Sequence, residues 1–199
     1  MEDRMIAEKR RLRKALLAKR GNMVDADAAI AARVFGADCY VQAKTVFVFI
    51  SVDNEVDTAP IIHRAFADGK KVLVPRTGEG RAMEAVLIEK EEFFVNEWPR
   101  SFNIPEPPHA FPAVDVSGID LVIVPSLAVD RWGYRLGYGG GFYDGFIKGA
   151  RALKNRPVFA AVQRAVFLRS KPLPREPYDM AVDMIITENE IIIPFSVSA

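Results

Sequence analysis

The chain has 199 residues, of which 50% are apolar and 27% are charged, and its formal net charge is +1. Such a composition is typical of a soluble globular protein and excludes disordered, collagen-like and coiled-coil chains. No apolar run approaches the roughly 20 residues that span a bilayer, and the first residues lack the pattern of a signal peptide. The single cysteine, Cys39, excludes an internal disulfide and a thiolate metal cluster. We therefore expect a cytoplasmic protein in which residues 1–199 form one domain.

Charge is unevenly distributed along the chain. Residues 1–20 carry eight Lys or Arg against three acidic side chains, whereas the remainder holds 19 basic and 23 acidic residues. The basic surface that nucleic-acid binding requires over a whole domain is therefore not expected. Only the N-terminal segment is suited to bind an anion.

Apolar spacing and helix-end residues predict the elements of the first half of the chain. Residues 3–20 are helical by composition, with Leu12 and Leu16 on one face. Asp25 is expected to cap a second helix, which ends near residue 35. Thr58 is expected to cap a third, which continues to residue 68. The strands of this half are predicted over residues 45–50, 71–75 and 83–88.

The second half continues the alternation of strands and helices. A helix is predicted over residues 142–153, and strands over residues 121–125, 158–162, 184–187 and 191–194. Residues 97–116, rich in proline and aromatic side chains, predict a long surface segment, which is uncommon unless it has a function. Strands separated by helices predict an α/β fold: a Rossmann-like open sheet, mostly parallel, with helices on both faces.

The most informative segment follows the strand predicted over residues 121–125. Six of the 13 glycines lie between Gly133 and Gly145, just before and within a predicted helix. Glycines let backbone N–H groups approach an anion closely, and a helix N-terminus adds partial positive charge. The spacing matches neither a Walker A loop nor a dinucleotide fingerprint. A flexible turn is the alternative, but it would not need the Arg135, Tyr138 and Tyr143 side chains, so the segment predicts a phosphate-binding loop.

Four blocks of the sequence resemble the 5-formyltetrahydrofolate cyclo-ligase family, in the order in which that family has them. The glycine block Leu136-Gly-Tyr-Gly-Gly-Gly-Phe-Tyr-Asp144 resembles its signature, and Lys9-Arg-Arg-Leu-Arg13 resembles its N-terminal basic motif. Residues 51–58 resemble its loop after the first strand, and residues 174–183 its C-terminal acidic motif. Residues 103–107 match a further segment, so the resemblance covers almost the whole chain.

The resemblance implies an ATP- and Mg²⁺-dependent ring closure. In that family the formyl oxygen of 5-formyltetrahydrofolate is phosphorylated to an iminium phosphate, and the nitrogen at position 10 displaces phosphate to give 5,10-methenyltetrahydrofolate and ADP. An amide-like oxygen is a poor leaving group, so this chemistry needs a phosphoryl donor, cations for the triphosphate and a rigid cradle. We expect a monomer whose partner is this small molecule, with or without a polyglutamate tail, rather than nucleic acid or a membrane.

The resemblance also implies roles for individual residues. Arg135 and Tyr143 would be catalytic, and Asp144 and Asp179 would bind the metal. Apart from the resemblance, Asp183, four residues beyond Asp179, is the alternative ligand if the loop turns the other way. Contacts to ATP would come from Lys9, Arg10, Arg13, Arg135, Gly137, Tyr138, Gly139, Gly140, Gly141, Phe142 and Tyr143. Contacts to folate would come from Ile50, Glu55, Phe102, Tyr138 and Phe142. Glu55 also lies just beyond a predicted strand end, where ligands bind in open α/β sheets, and could accept hydrogen bonds from a pterin.

Simpler interpretations and other functions stay open. Without the resemblance, the basic N-terminal run would be a solvated helix face, Tyr143 a packed core residue and Asp179 a turn residue. A related enzyme could use ATP on another formylated or amide substrate, or the protein could bind 5-formyltetrahydrofolate without catalysis. The combination of Lys9, Arg13 and Arg135 with two carboxylates argues against a pure binding protein. Residues 162–166 depart from the family pattern, which leaves open how that part of the pocket is completed.

Overall fold

The computed structural model describes residues 2–21, 23–80, 82–90, 97–101 and 103–195, with residues 2 and 3 described by their backbone alone. Its α-helices are α1 (Glu2–Leu17), α2 (Val24–Gly36), α3 (Asp38–Gln42), α4 (Ala59–Ala67) and α5 (Phe142–Arg151). Its longer strands are β1 (Thr45–Val48), β2 (Lys71–Thr77), β3 (Met83–Ile88), β7 (Leu121–Val124), β10 (Val158–Val162) and β12 (Met184–Ile186). Its shorter strands are β4 (Arg100–Ser101), β5 (Ile104–Pro105), β6 (Ala113–Val114), β8 (Ala128–Asp130), β9 (Arg135–Leu136), β11 (Leu168–Arg169) and β13 (Ile191–Ile192).

The main sheet has eight strands in the order β13-β12-β10-β7-β1-β2-β3-β6. Its five central strands are parallel, from β12 through β10, β7 and β1 to β2. The strands at both edges, β13, β3 and β6, pair antiparallel. The predicted α/β class with a mostly parallel sheet is therefore confirmed.

Both faces of the sheet are covered, which explains why its central strands are apolar throughout rather than alternating. On one face, Val46, Val72 and Leu121 pack with residues of α2 and α4. On the other face, Phe47 and Val122 pack with α5 residues. The expectation of helices on both faces is confirmed.

Helix α1 packs against neither sheet face. Its buried Leu16 and half-buried Leu12 contact a third apolar cluster, to which Leu127, Leu136 and Phe167 belong. The predicted apolar face of the first helix is thus correct, and its partners are a separate three-stranded sheet of order β11-β8-β9 and nearby loops.

Two helix caps differ from expectation. Helix α2 begins at Val24 and has Met23 as its N-cap residue, so the prediction that Asp25 caps this helix is wrong. Asp25 instead lies in the first turn, where a carboxylate favours the positive end of the helix dipole. Thr58 occupies the N-cap position of α4 as predicted, but its hydroxyl donates to the Phe49 carbonyl at 2.7 Å and makes no capping bond.

The segment predicted as a surface loop over residues 97–116 contains short strands. Within its described part, β4 and β5 form a two-stranded hairpin, and β6 pairs with β3 at the edge of the main sheet. None of the helices described here is long and apolar enough to cross a lipid bilayer.

Candidate active site

Most of the predicted site residues lie near the carboxyl edge of the parallel sheet. Residues 51–58, here called the Glu55 loop, follow β1, while Ser126 follows β7 and Gln163 follows β10. After β1 the chain continues to β2, and after β7 the next strand of this sheet is β10, so the connections from these two neighbouring strands run to opposite sides of the sheet. Open α/β sheets bind ligands in the crevice that forms at such a point.

The glycine loop (residues 137–141) lies beside α1. Gly141 is the N-cap residue of α5 and has a φ angle of 75°, and Gly139 has a φ angle of 108°. Residues other than glycine rarely adopt such positive φ angles. Arg13 Nε donates to the Gly137 carbonyl at 2.8 Å. A Cβ atom on Gly140 would lie 2.7 Å from the Phe142 ring, so this position has no room for a side chain. The structure thus brings a guanidinium group, a glycine turn and a helix N-terminus together.

Arg135 joins the glycine segment to the acidic loop (residues 174–183). Its side chain is 3% exposed, and it donates to the Met180 carbonyl at 2.7 Å and to Asp144 Oδ1 at 3.0 Å. The Met180 amide donates to the same carboxylate oxygen at 2.9 Å. Burial lowers the pKa of Arg135, while the Asp144 charge opposes that shift. Asp144 and the residue next to Asp179 are therefore in direct contact.

Lys9 is buried against the same acidic loop. Its ammonium group donates to Glu176 Oε2 at 2.7 Å and also to Asp179 Oδ2. The hydrogen bond from Lys9 is the main reason why the pKa of Glu176 lies below its ordinary value. Lys9, predicted to contact ATP, and Asp179, predicted to bind the metal, are thus paired with each other.

A chain of three polar side chains closes the other side of the glycine loop. Arg20 donates to the Tyr138 hydroxyl, which donates to Glu55 Oε1 at 2.6 Å. The Val52 amide donates to the second carboxylate oxygen of Glu55 at 3.0 Å. Burial raises the pKa of Glu55 and outweighs the opposing effect of the Tyr138 hydroxyl. Tyr138, inside the predicted nucleotide loop, therefore contacts Glu55, the residue predicted to bind folate.

Tyr143 lies in the first turn of α5 and packs against the apolar clusters on both faces of the sheet. Its buried hydroxyl has no hydrogen-bond partner among the described residues. Burial raises the pKa of this hydroxyl, Glu55 raises it further and Arg135 lowers it, so both charges act on it.

The remaining predicted residues occupy different environments. Ile50 is buried in the core below the Glu55 loop, Arg10 is exposed on α1, and Phe102 lies outside the described residues. Within the described part of the chain, no three His, Cys, Asp or Glu side chains are grouped as a metal site. Mg²⁺ commonly uses only one or two protein carboxylates and completes its shell with phosphate oxygens and water.

The sequence matches the profile of the 5-formyltetrahydrofolate cyclo-ligase family over residues 5–188. The chain belongs to this family.

Relatives from distant organisms cover most of the chain. The 5-formyltetrahydrofolate cyclo-ligase of Escherichia coli (strain K12) is 31% identical over 76% of this chain and 81% of the relative. That of Mycolicibacterium smegmatis is 30% identical over 93% of this chain and 96% of the relative. An NMR structure of Aquifex aeolicus 5,10-methenyltetrahydrofolate synthetase, 24% identical, superposes with a TM-score of 0.76 and covers 96% of this chain and 95% of that one. This last similarity shows that the fold is shared.

This member of the cyclo-ligase family has polar side chains at the site that the sequence analysis did not identify. Gln163 Nε2 donates to the Ser126 carbonyl and hydroxyl, each at 2.9 Å, and so ties the ends of β10 and β7 together. Arg164 and Asp27 form a buried ion pair beside the Glu55 loop. The sequence does contain a signal for these two residues: Gln163 and Arg164 directly follow the apolar strand predicted over residues 158–162, and ligands bind beyond the carboxyl ends of such strands.

Proposed function

We propose that this protein is an ATP-dependent 5-formyltetrahydrofolate cyclo-ligase that forms 5,10-methenyltetrahydrofolate and uses Mg²⁺. The family match over residues 5–188 carries this proposal. We further propose that residues 1–199 act as one domain, as a monomer in the cytoplasm.

The glycine loop is suited to hold the nucleotide phosphates. At two positions of this loop a Cβ atom would be strained or would clash. The loop leads directly into the N-terminus of α5, and the Arg13 guanidinium lies beside it. Backbone N–H groups and the helix dipole favour an anion at such a terminus. Bound ATP supplies the phosphoryl group that makes the formyl oxygen a leaving group. Arg135 keeps its proposed catalytic and ATP-binding role, and its bonds to Met180 and Asp144 also hold the acidic loop beside these phosphates.

The two predicted metal ligands fit a magnesium ion. Among the described residues, Asp144 receives its hydrogen bonds at Oδ1 and Asp179 receives its own at Oδ2. Each carboxylate therefore keeps one oxygen that can bind a cation. Both side chains are partly accessible, at 26% and 13%.

Glu55 and Tyr143 are suited to the folate. The Val52 amide and the Tyr138 hydroxyl each donate to one carboxylate oxygen of Glu55, which fixes the orientation of this group. A carboxylate oxygen can accept more than one hydrogen bond, so Glu55 can also accept from the pterin ring. The Tyr143 hydroxyl lies near Glu55 and Arg135 and has no partner among the described residues, so it can donate to a reacting oxygen or nitrogen.

The test combines the purified protein with 5-formyltetrahydrofolate, ATP and MgCl₂. We expect the absorbance of the methenyl product to rise, with one ADP formed per product, and no rise without ATP or with excess chelator. Folate binding with no ATP-dependent change of absorbance would contradict the proposal and support a binding protein.

A further inference from the structure

We infer that Arg164 is a positioning residue for folate binding: together with Asp27, it fixes the Glu55 loop so that the Glu55 carboxylate faces the crevice. This inference rests on the proposed role of Glu55 as a folate ligand. It concerns a residue in the segment of the chain that departs from the family pattern.

All five N–H donors of the Arg164 guanidinium are used inside the protein. Nε and Nη2 each donate to one carboxylate oxygen of Asp27 at 2.7 Å, in a bidentate pair. Nη2 also donates to the Glu55 carbonyl at 2.9 Å, and Nη1 donates to the carbonyls of Asn54 at 2.9 Å and Gly21 at 3.1 Å. Since a guanidinium has five such donors, none remains for a substrate.

The bonds of this pair converge on the backbone around Glu55. Arg164 binds the carbonyls of residues 54 and 55, and Asp27 Oδ2 accepts from the Asp57 amide at 3.2 Å. Asp53, just before these residues, has a positive φ of 50°, which a residue other than glycine adopts only where its surroundings impose it. The pair thus supplies contacts on both sides of Glu55 that hold this conformation.

The pair is too deeply buried to be explained by stability alone. Arg164 is 2% exposed and Asp27 is 7% exposed. A buried ion pair costs so much desolvation that an apolar pair of similar volume is often equally stable. An apolar pair, however, could not hold three carbonyl groups in place. We therefore infer that the ion pair serves to hold the Glu55 loop in place.

The test measures the dissociation constant of 5-formyltetrahydrofolate by calorimetry without nucleotide, in a double-mutant cycle of Arg164→Lys and Glu55→Gln. Lysine keeps the buried charge paired but cannot reproduce the five-donor fork. We expect each single substitution to weaken folate binding about tenfold, in line with the loss of a hydrogen bond to a charged group. In the Glu55→Gln background, Arg164→Lys should raise the dissociation constant by less than about twofold more, because the effects of substituting groups that act together are not additive.

An equal loss from Arg164→Lys in both backgrounds would overturn the inference, since Arg164 would then not act through Glu55. An unchanged dissociation constant in Arg164→Lys alone would overturn it as well. If Glu55→Gln itself binds folate as the wild type does, the proposed role of Glu55 fails, and the positioning role fails with it.

Two further variants separate position from stability. The neutral pair Arg164→Met with Asp27→Leu should bind folate as weakly as Arg164→Lys, and it should also lower the urea midpoint, because three backbone carbonyls lose their donor. Val34→Ala removes buried side-chain volume from α2 seven residues beyond Asp27, and it should lower the urea midpoint while folate affinity stays unchanged. Wild-type affinity in the neutral pair, or weakened affinity in Val34→Ala, would contradict the inference.

Discussion

The hydroxyl group of Tyr143 is buried without a hydrogen-bond partner among the described residues. A buried, unsatisfied hydroxyl costs about 1–3 kcal/mol of stability. We therefore expect Tyr143→Phe to leave the free energy of unfolding unchanged or to raise it. If the hydroxyl donates to the reacting centre, the same substitution should lower kcat about 100-fold, as the loss of one such donor does in other enzymes. Urea unfolding and steady-state kinetics of the variant test both effects.

Tyr40 provides the matched control for Tyr143. Tyr40 is 2% exposed, and its hydroxyl donates to Asp68 at 2.9 Å, away from the glycine loop. Tyr40→Phe should lose about 1 kcal/mol of stability and keep the wild-type kcat. Wild-type kcat in Tyr143→Phe would remove Tyr143 from the catalytic residues, and a stability loss there would show that its hydroxyl has a partner in the folded protein.

At the scale of an element, the glycine loop depends on a conformation that only glycine adopts readily. Gly139 has φ of 108°, and a Cβ there would lie 3.5 Å from the Arg13 guanidinium carbon. We expect Gly139→Ala to cost about 1–3 kcal/mol of folding free energy and to weaken ATP binding, because the loop must change its conformation to relieve the strain. Calorimetry with ATP and urea unfolding measure the two effects.

The control lies in the helix that the loop leads into. Gly149 in α5 has open space around it and an ordinary φ, so Gly149→Ala should add about 0.5–1 kcal/mol of stability. Its ATP affinity should equal that of the wild type. Equal ATP affinity in Gly139→Ala as well would show that the loop conformation does not matter for the nucleotide.

Elements with a strong local pattern could be predicted from the sequence. The alanine-rich helix α2 and the apolar strands β1, β7 and β10 appear within a few residues of their expected bounds. The strands β8, β9 and β11 were not predicted, because segments of two or three residues are strands only through pairing with distant parts of the chain. The N-cap residue of α2 was predicted two residues too late, because Met23 has no side-chain acceptor that would mark it as a cap in the sequence.

The candidate site shows the same division between local and distant signals. The glycine segment has a recognisable local pattern, and the acidic loop was found by family resemblance. The contacts between them, such as Lys9 with Asp179 or Arg164 with the Glu55 loop, join residues more than 100 positions apart. Local spacing cannot predict such pairs, because only the packed sheet brings them together.

At the scale of the whole molecule, Lys9 fastens the N-terminal helix to the C-terminal part of the chain. Its side chain and those of Glu176 and Asp179 are all less than 14% exposed. We expect Lys9→Met to lower the free energy of unfolding at pH 7 by about 3 kcal/mol, because it leaves two carboxylates buried without their cation. Urea unfolding at several pH values measures this loss.

The loss should depend on pH in a defined direction. Lys9 holds the pKa of Glu176 below its ordinary value of 4.5, so this contribution to stability is complete above pH 4.5 and disappears as the pH falls through the folded-state pKa. The difference between wild type and Lys9→Met should therefore shrink in acid. Lys14→Met, at an exposed position of α1, should stay within about 0.5 kcal/mol of the wild type at every pH. A constant difference for Lys9→Met across this range would rule out the ion pair as its source.

Helix α1 is translated long before the segments that it packs against. Leu16 belongs to the same apolar cluster as Phe167 and Leu173, and the partners of Lys9 follow it by 167 and 170 residues. At about 5–20 residues per second, a ribosome needs roughly 8–30 s to make that stretch. Until residues 167–179 are made, the apolar face of this helix lacks part of its cluster, and Lys9 lacks both of its carboxylate partners. The contacts that hold α1 in place are therefore complete only near the end of synthesis, and a chain interrupted before residue 167 cannot form all of them.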